Sequence, residues 1–367
     1  MTKRDSNILK CLAIILMLCH HLFMYVNWPG FYTLAYGPLF STPELLAHFG
    51  KMGNACVSIF VFVTAYGTSV SYRRRDMQDG YALMEKSTER LIKLLVNFQF
   101  VYIIAFALCP LGGANWLSLY SPSRLENLAF AFFDFMGLSY LLDTPTYNSS
   151  WWYMSVAITL IFLLPWAIKL FRRYGPTALL AGTLLAYELD PSYVLIHYLP
   201  CVFTGVALGE GEVLEKAAEW GRKAGALPGA LLAALSGAAA LGLMWRLPDT
   251  DWYIKGLSEA AICCGLSLAT VLGLGKMPGV NRAAEFVGKH SMNMYFIHVF
   301  IFQVWFEEFT YSLNYPWLIF LFLFTSSLAA SILIEKAKSL FHLERLAEAV
   351  SAKLCAGLKY RPAVWNP

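Results

Sequence analysis

The sequence predicts an all-α integral membrane protein. It would have about ten transmembrane helices, both termini cytoplasmic, and one external re-entrant or interfacial helix. Three observations predict this. Of 367 residues, 58% are hydrophobic and only 14% charged, with a mean hydropathy of +0.53; a soluble chain carries about a quarter charged residues. The apolar residues gather in runs of roughly 17–25, the length of a helix that crosses a bilayer. The lysines and arginines fall unevenly between successive runs.

The expected spans are 8–27, 55–71, 91–110, 152–171, 177–190, 193–209, 226–246, 253–274, 291–309 and 316–335. In lipid such runs satisfy their own backbone groups as helices. With the N-terminus inside, all 28 lysines and arginines except Lys51, Arg124, Arg246 and Lys255 lie on the cytoplasmic side. That excess marks the inner face of a membrane protein, here the cell (plasma or inner) membrane. Segment 127–142 is apolar enough for an eleventh span, but counting it would put Arg172 and Arg173 outside. It is therefore read as the external helix, with Asp134 in need of a partner.

This gives a transmembrane domain over 1–338 and a cytoplasmic amphipathic tail over 339–367. In the tail Leu343, Leu346, Val350 and Leu354 alternate with Glu344, Arg345, Lys353 and Lys359, the pattern of a basic helix on the inner membrane surface. The external segments are crowded with aromatics: Trp28, Phe31, Tyr32, Tyr36, Trp116, Tyr120, Tyr147, Trp151 and Trp152. They form either an interfacial belt or a stacking surface for a sugar or lipid headgroup.

Several classes are disfavoured. The eight cysteines lie mainly in or beside apolar runs, without C-x-x-C spacing, so neither a disulfide framework nor a zinc site is expected. There is no glycine-rich phosphate loop and no G-x-S-x-G elbow. The basic residues follow topology rather than a stripe on one domain, so nucleic acid is not an expected partner. The first apolar run contains two histidines and lacks a small-x-small cleavage site, unlike a signal peptide.

That first run, from Lys10 to His21, carries the chemistry. An ionisable group at membrane depth is a functional-site candidate. Lys10 and His21 are eleven residues apart, about 20° beyond three full turns, so they share a helix face about 16 Å apart along the axis. His20 is turned about 100° away and is expected to pack. The geometry suits coenzyme A: phosphates held by cations at the inner surface, and a slim pantetheine arm reaching a buried, neutral imidazole. Such an imidazole acts as base or nucleophile.

The residues resemble the acyltransferase-3 family of membrane O-acyltransferases, whose first helix carries Arg or Lys, ten residues, then His. Further resemblances follow in order: Phe60-Val-Phe-Val-Thr64-Ala65-Tyr66 in the second helix, Arg90-Leu-Ile-Lys93 at the start of the third, and Ser150-Trp151-Trp152-Tyr153 opening a later one. Gly288-Lys-His-Ser291-Met-Asn-Met-Tyr295-Phe-Ile-His298 stands near the end. Lys replaces Arg twice, which keeps charge but loses bidentate phosphate geometry. Thr64 and Ala65 stand where the family often has Ser and Gly, making a bend in that helix less permissive.

The resemblance implies acyl transfer from cytoplasmic acyl-CoA, usually acetyl-CoA, to a hydroxyl of an extracytoplasmic or lipid-linked glycan. No permanently bound cofactor is expected; acyl-CoA is a co-substrate. His21 would be catalytic, as base or acyl carrier, and Lys10, Arg90 and Lys93 would bind the donor. Thr64, Tyr66, Trp152, Ser291, Tyr295 and His298 would support the site. Many members carry a fused external hydrolase-like domain; here any such extracytoplasmic partner would be a separate protein.

Asp134 and Glu259 are candidates for the acceptor side. Arg73 to Arg75 read as a topology anchor or a phosphate site, and His48 and His197 as ordinary outer-surface residues. A metal site built from His20, His21, His298 and Asp134 has no spacing support. The alternative function is a polytopic transporter or flippase for a polar solute or glycan intermediate, but matched broken helices in two halves are not visible.

Overall fold

The computed structural model describes residues 1–24, 34–35, 42–74, 80–188 and 194–359. The external aromatics Trp28, Phe31, Tyr32 and Tyr36, and the basic residues Arg75 and Arg361, lie outside them. Every regular element among the described residues is helical. The helices are α1 (Lys3–Phe23), α2 (Pro43–Met52), α3 (Ala55–Arg74), α4 (Gly80–Ala107), α5 (Arg124–Phe135), α6 (Trp152–Tyr174), α7 (Pro176–Glu188) and α8 (Val194–His197). They continue with α9 (Leu199–Glu210), α10 (Val213–Lys223), α11 (Ala226–Arg246), α12 (Trp252–Leu272), α13 (Val280–Val299), α14 (Glu307–Ser312), α15 (Pro316–Leu340) and α16 (Leu343–Lys359).

Seven helical stretches are long and apolar enough to cross a membrane, and eight if the bent pair 194–210 and 213–223 is one span. The ten expected spans also counted 177–190 and 291–309. The first is the 13-residue α7. The second is α13 followed by a π-helical turn, Phe300–Trp305; Arg282, Glu285, Lys289 and Asn293 dilute its apolar character. α5 spans 12 residues, about 18 Å of helix, which is shorter than the hydrocarbon layer.

α1 begins with a capping box: Thr2 accepts from the Asp5 amide while Asp5 accepts from Thr2, which satisfies the first orphan amides. α13 lies along α1 in the same direction. Asn7 meets Gly288 near one end and His21 meets His298 near the other. A Cβ on Gly288 would stand 1.8 Å from the Asn7 carbonyl oxygen, so only glycine lets the two helices close there. α3 runs unbroken through Ala65, where Gly205 of α9 approaches it.

The tail helix α16 packs on α4 and the end of α15. Its Ala347, Ser351 and Cys355, one residue per turn, are buried. This small-residue stripe meets α4, while Leu346 and Leu354 of the expected membrane-facing stripe stay exposed.

Candidate active site

The site forms where α1 and α13 end side by side. His298 is fully buried, and its Nδ1 lies 2.8 Å from the Tyr295 carbonyl oxygen. A carbonyl only accepts, so the proton of the neutral ring sits on Nδ1 and the lone pair on Nε2. That Nε2 has no hydrogen-bond partner. The ring lies 5.0 Å from the His21 ring, tilted by 53°, with Phe302 stacked at 6.2 Å. His20 is adjacent to His21, edge-on at 5.4 Å, but its Nδ1 donates to the Gly50 carbonyl at 2.9 Å. The two histidines at the end of α1 therefore face different neighbours: His21 faces His298, and His20 faces α2.

The α-to-π transition shapes this end of α13. The Phe300 amide bonds to the carbonyls of Ile297 and His298 rather than to that of Phe296. The Phe296 carbonyl accepts from Trp151 Nε1 at 3.1 Å and from Asn148 Nδ2 at 3.4 Å. Asn148 Oδ1 in turn caps the next turn by accepting from the Ser150 amide and hydroxyl. Tyr295 Oη donates to the Ser150 carbonyl at 2.7 Å. The turn bearing His298 is thus held by the 148–151 loop. Such π-turns are frequent at functional sites.

The supporting residues divide. Tyr295 is in the cluster. Trp152 is not: its ring meets Tyr140 and Tyr153, and Trp151 takes the place expected for it. Ser291 bonds back to the Gly288 carbonyl within its own helix. Thr64 offers its carbonyl to Thr68. Tyr66 donates to Glu215 at 2.9 Å, and Arg73 pairs with the same carboxylate at 3.1 Å, far along α3 from its Ala55 end.

The donor-side cations also divide. Lys10 lies within electrostatic reach of Lys3 and Arg90. Arg90 donates to Thr68 Oγ1 and bonds Tyr72, which holds it on the α3 side of α4. Lys93 faces the other way, with Nζ 4.0 Å from Glu348 of α16.

The two acids differ as well. Asp134 is buried and accepts four hydrogen bonds at 2.7–2.8 Å, from Tyr120 Oη, Ser139 Oγ, Thr146 Oγ1 and the Tyr147 amide. Burial nonetheless pushes its carboxyl above the usual range, against the downward pull of these bonds. Four donors fill the lone-pair positions of a carboxylate, so Asp134 ties α5 to the loop before α6 and has no free position for an acceptor hydroxyl. Glu259 is also fully buried. Its Oε2 accepts from Ser58 Oγ at 2.6 Å and lies 2.9 Å from His197 Nε2, while Oε1 has no partner. His197, expected at the outer surface, is buried beneath Trp252, stacked at 4.3 Å.

Sequence reading missed Trp151, Asn148, His197 and Ser58 as members of these clusters. It also missed a polar set between α13 and α15, where Asn293 donates to Glu335 at 2.6 Å and accepts from Lys338 at 2.7 Å. An acid three residues before a lysine at the end of the last span was the available signal. Among the described residues no three His, Cys, Asp or Glu side chains converge as a metal-binding group.

No curated protein and no solved structure matches the chain. A family model described as an acyltransferase domain matches residues 4–336. That range takes in the Lys10–His21 helix, the Arg90–Lys93 segment and the whole of α13. The chain belongs to the acyltransferase-3 family, and its helical membrane domain is an acyltransferase domain.

Proposed function

We propose that the protein is an O-acyltransferase that takes an acyl group, in the simplest case acetyl, from acyl-CoA and passes it to a hydroxyl of an extracytoplasmic or lipid-linked glycan. It would sit in the cell membrane with ten crossings and both termini cytoplasmic, the arrangement that best sorts its basic residues. The observation that carries the reading is the His21–His298 pair. Two imidazoles lie 5.0 Å apart at the end of α1, and the Nε2 of one is buried without a partner.

The chemistry follows from the tautomer. His298 offers a lone pair at Nε2. A ring N–H of His21 donated to it would leave the other His21 nitrogen as the base. That nitrogen takes the acceptor's hydroxyl proton as the oxygen attacks the thioester carbonyl carbon. The tetrahedral intermediate then expels the CoA thiolate, which takes the proton from the imidazolium. The products are an O-acyl ester and free CoA. A second route has His21 itself carry the acyl group between donor and acceptor. Lys10, Arg90 and Lys93 draw the donor phosphates to the inner surface, the first two from the α3 side of α4 and Lys93 from its far side.

The test is CoA release from acetyl-CoA by purified protein supplied with a glycan acceptor. The reading requires wild-type turnover that His21→Ala abolishes. Full turnover by that variant would overturn it.

A further inference from the structure

The family match stops at residue 336, but the fold does not. α16 returns along α4, and a pocket of about 390 Å³ opens between α4, α13, the end of α15 and the start of α16. Lys93 and Asn97 line it from α4, Met292 from α13, Lys338 from α15, and His342 and Arg345 from the tail. We propose that this pocket holds the nucleotide end of the acyl-CoA donor, with Arg345 and His342 of the tail completing a phosphate site begun by Lys93 and Lys338. The proposal rests on the donor reading above and adds residues that lie beyond the family domain.

The lining has the mixed chemistry that a nucleotide needs. Glu335 and Glu344 also face the pocket, and carboxylates suit ribose hydroxyls and an exocyclic amine. Glu335 is already engaged, accepting from Asn293 at 2.6 Å and from Lys338 at 3.2 Å. Lys338 is buried and gives two donors to Asn293 and Glu335, so its ammonium keeps one for a ligand. Arg345 forms no ion pair among the described residues, and its guanidinium fork suits a phosphate. Lys93 is held only loosely by Glu348, at 4.0 Å with both side chains about half exposed.

The pocket and the candidate active site share α13, on faces about 120° apart. Met292 precedes His298 by six residues, about 9 Å of helix. A pantetheine arm leaving the pocket beside α13 has that distance to cover.

A glycerophospholipid headgroup carries the same phosphate chemistry, so the experiment separates the two. Binding of CoA is titrated by calorimetry to the full-length protein in nanodiscs of zwitterionic lipid, then in nanodiscs containing anionic lipid. Arg345→Ala is expected to weaken CoA binding about tenfold, the scale of one charge-assisted phosphate contact. It should weaken dephospho-CoA binding in step if Arg345 contacts the pyrophosphate, and less if it contacts the 3′-phosphate. A chain ending at residue 340 should show at least the same loss. Unchanged or tighter CoA binding by either variant overturns the proposal, the tighter result meaning that the tail covers the pocket. A wild-type protein that binds CoA alongside an unaffected Arg345→Ala leaves the donor reading standing and removes only the tail. Absence of CoA binding by the wild type, with or without anionic lipid, overturns both.

Discussion

Two buried imidazoles, His298 and His197, sit in comparable surroundings and are set up for opposite tasks. Each is buried, at 0% and 4% exposure, and each lies under an aromatic ring tilted by 19°, Phe302 for one and Trp252 for the other. His197 spends its Nε2 on Glu259. His298 spends only Nδ1, on its own backbone, and leaves Nε2 free beside His21. A ring committed to a carboxylate fastens helices together, here α8 to α12, with Ser58 bringing in α3. A ring with a spare lone pair beside a second imidazole can move a proton. Burial alone does not mark the reactive histidine; the unspent nitrogen does.

The largest effect tests that distinction directly. His21→Ala and His298→Ala should each lower kcat by roughly 10²–10⁴, the usual share of a positioned acid or base, while the donor KM stays within about threefold. The double variant should lose little more than the worse single one, because residues acting as a unit are not additive. Steady-state CoA release measures all three. If His197→Ala, at unchanged melting temperature, loses as much kcat as His298→Ala, the comparison fails.

The other side of the comparison predicts lost stability rather than lost turnover. Glu259→Ala strips a buried imidazole and a buried hydroxyl of their shared partner. Leaving each such buried group without its partner costs roughly 1–3 kcal/mol, visible as a lower melting temperature. Turnover per folded molecule should stay near wild type. A normal melting temperature with a raised acceptor KM would instead make the free Oε1 an acceptor-binding group.

How much of this was legible follows from what spacing encodes. The Lys10–His21 interval placed both groups on one helix face, and the rotation between His20 and His21 separated their neighbours, because both facts live within a single helix. The partner of His21 did not follow from spacing. It depends on α13 lying parallel to α1, which Gly288 permits by accepting the Asn7 carbonyl where a Cβ would stand. Trp151 and Trp152 are equivalent as text. Only the bond from its indole to the Phe296 carbonyl, just before the π-turn, selects the first. Asp134 read as an open acid because its four donors come from loops and from residues up to 14 positions away. α13 was read as a span only from residue 291, since the polar residues in its first half lower its hydropathy there.

The two tryptophans give the next prediction. Trp151→Phe removes the indole donor from the Phe296 carbonyl and leaves only the longer bond from Asn148. The His298 turn loosens, and small displacements of a catalytic group are costly. A fall in kcat of about three- to tenfold is expected, with donor KM unchanged. Trp152→Phe should stay within about twofold on both constants, since its ring meets Tyr140 and Tyr153 and no hydrogen bond from its indole is seen among the described residues. Equal losses from the two variants would remove the Phe296 carbonyl from the explanation.

The smallest effect belongs to His20, whose ring touches His21 and yet serves α2. Its Nδ1 proton goes to the Gly50 carbonyl, and the glycines at 50 and 53 let α2 come that close: a Cβ on Gly50 would stand 2.5 Å from the Phe23 carbonyl carbon, and one on Gly53 would stand 2.3 Å from the Leu16 carbonyl oxygen. His20→Ala loses one hydrogen bond and should cost about 1 kcal/mol of stability. His20→Asn, which can offer an N–H toward the same carbonyl, should recover part of it. Turnover should fall by no more than about threefold in either variant, because the His21–His298 contact does not pass through His20. A loss of kcat on the scale of His21→Ala, at near-normal melting temperature, would place the proton path on His20 and reverse the roles assigned to the pair.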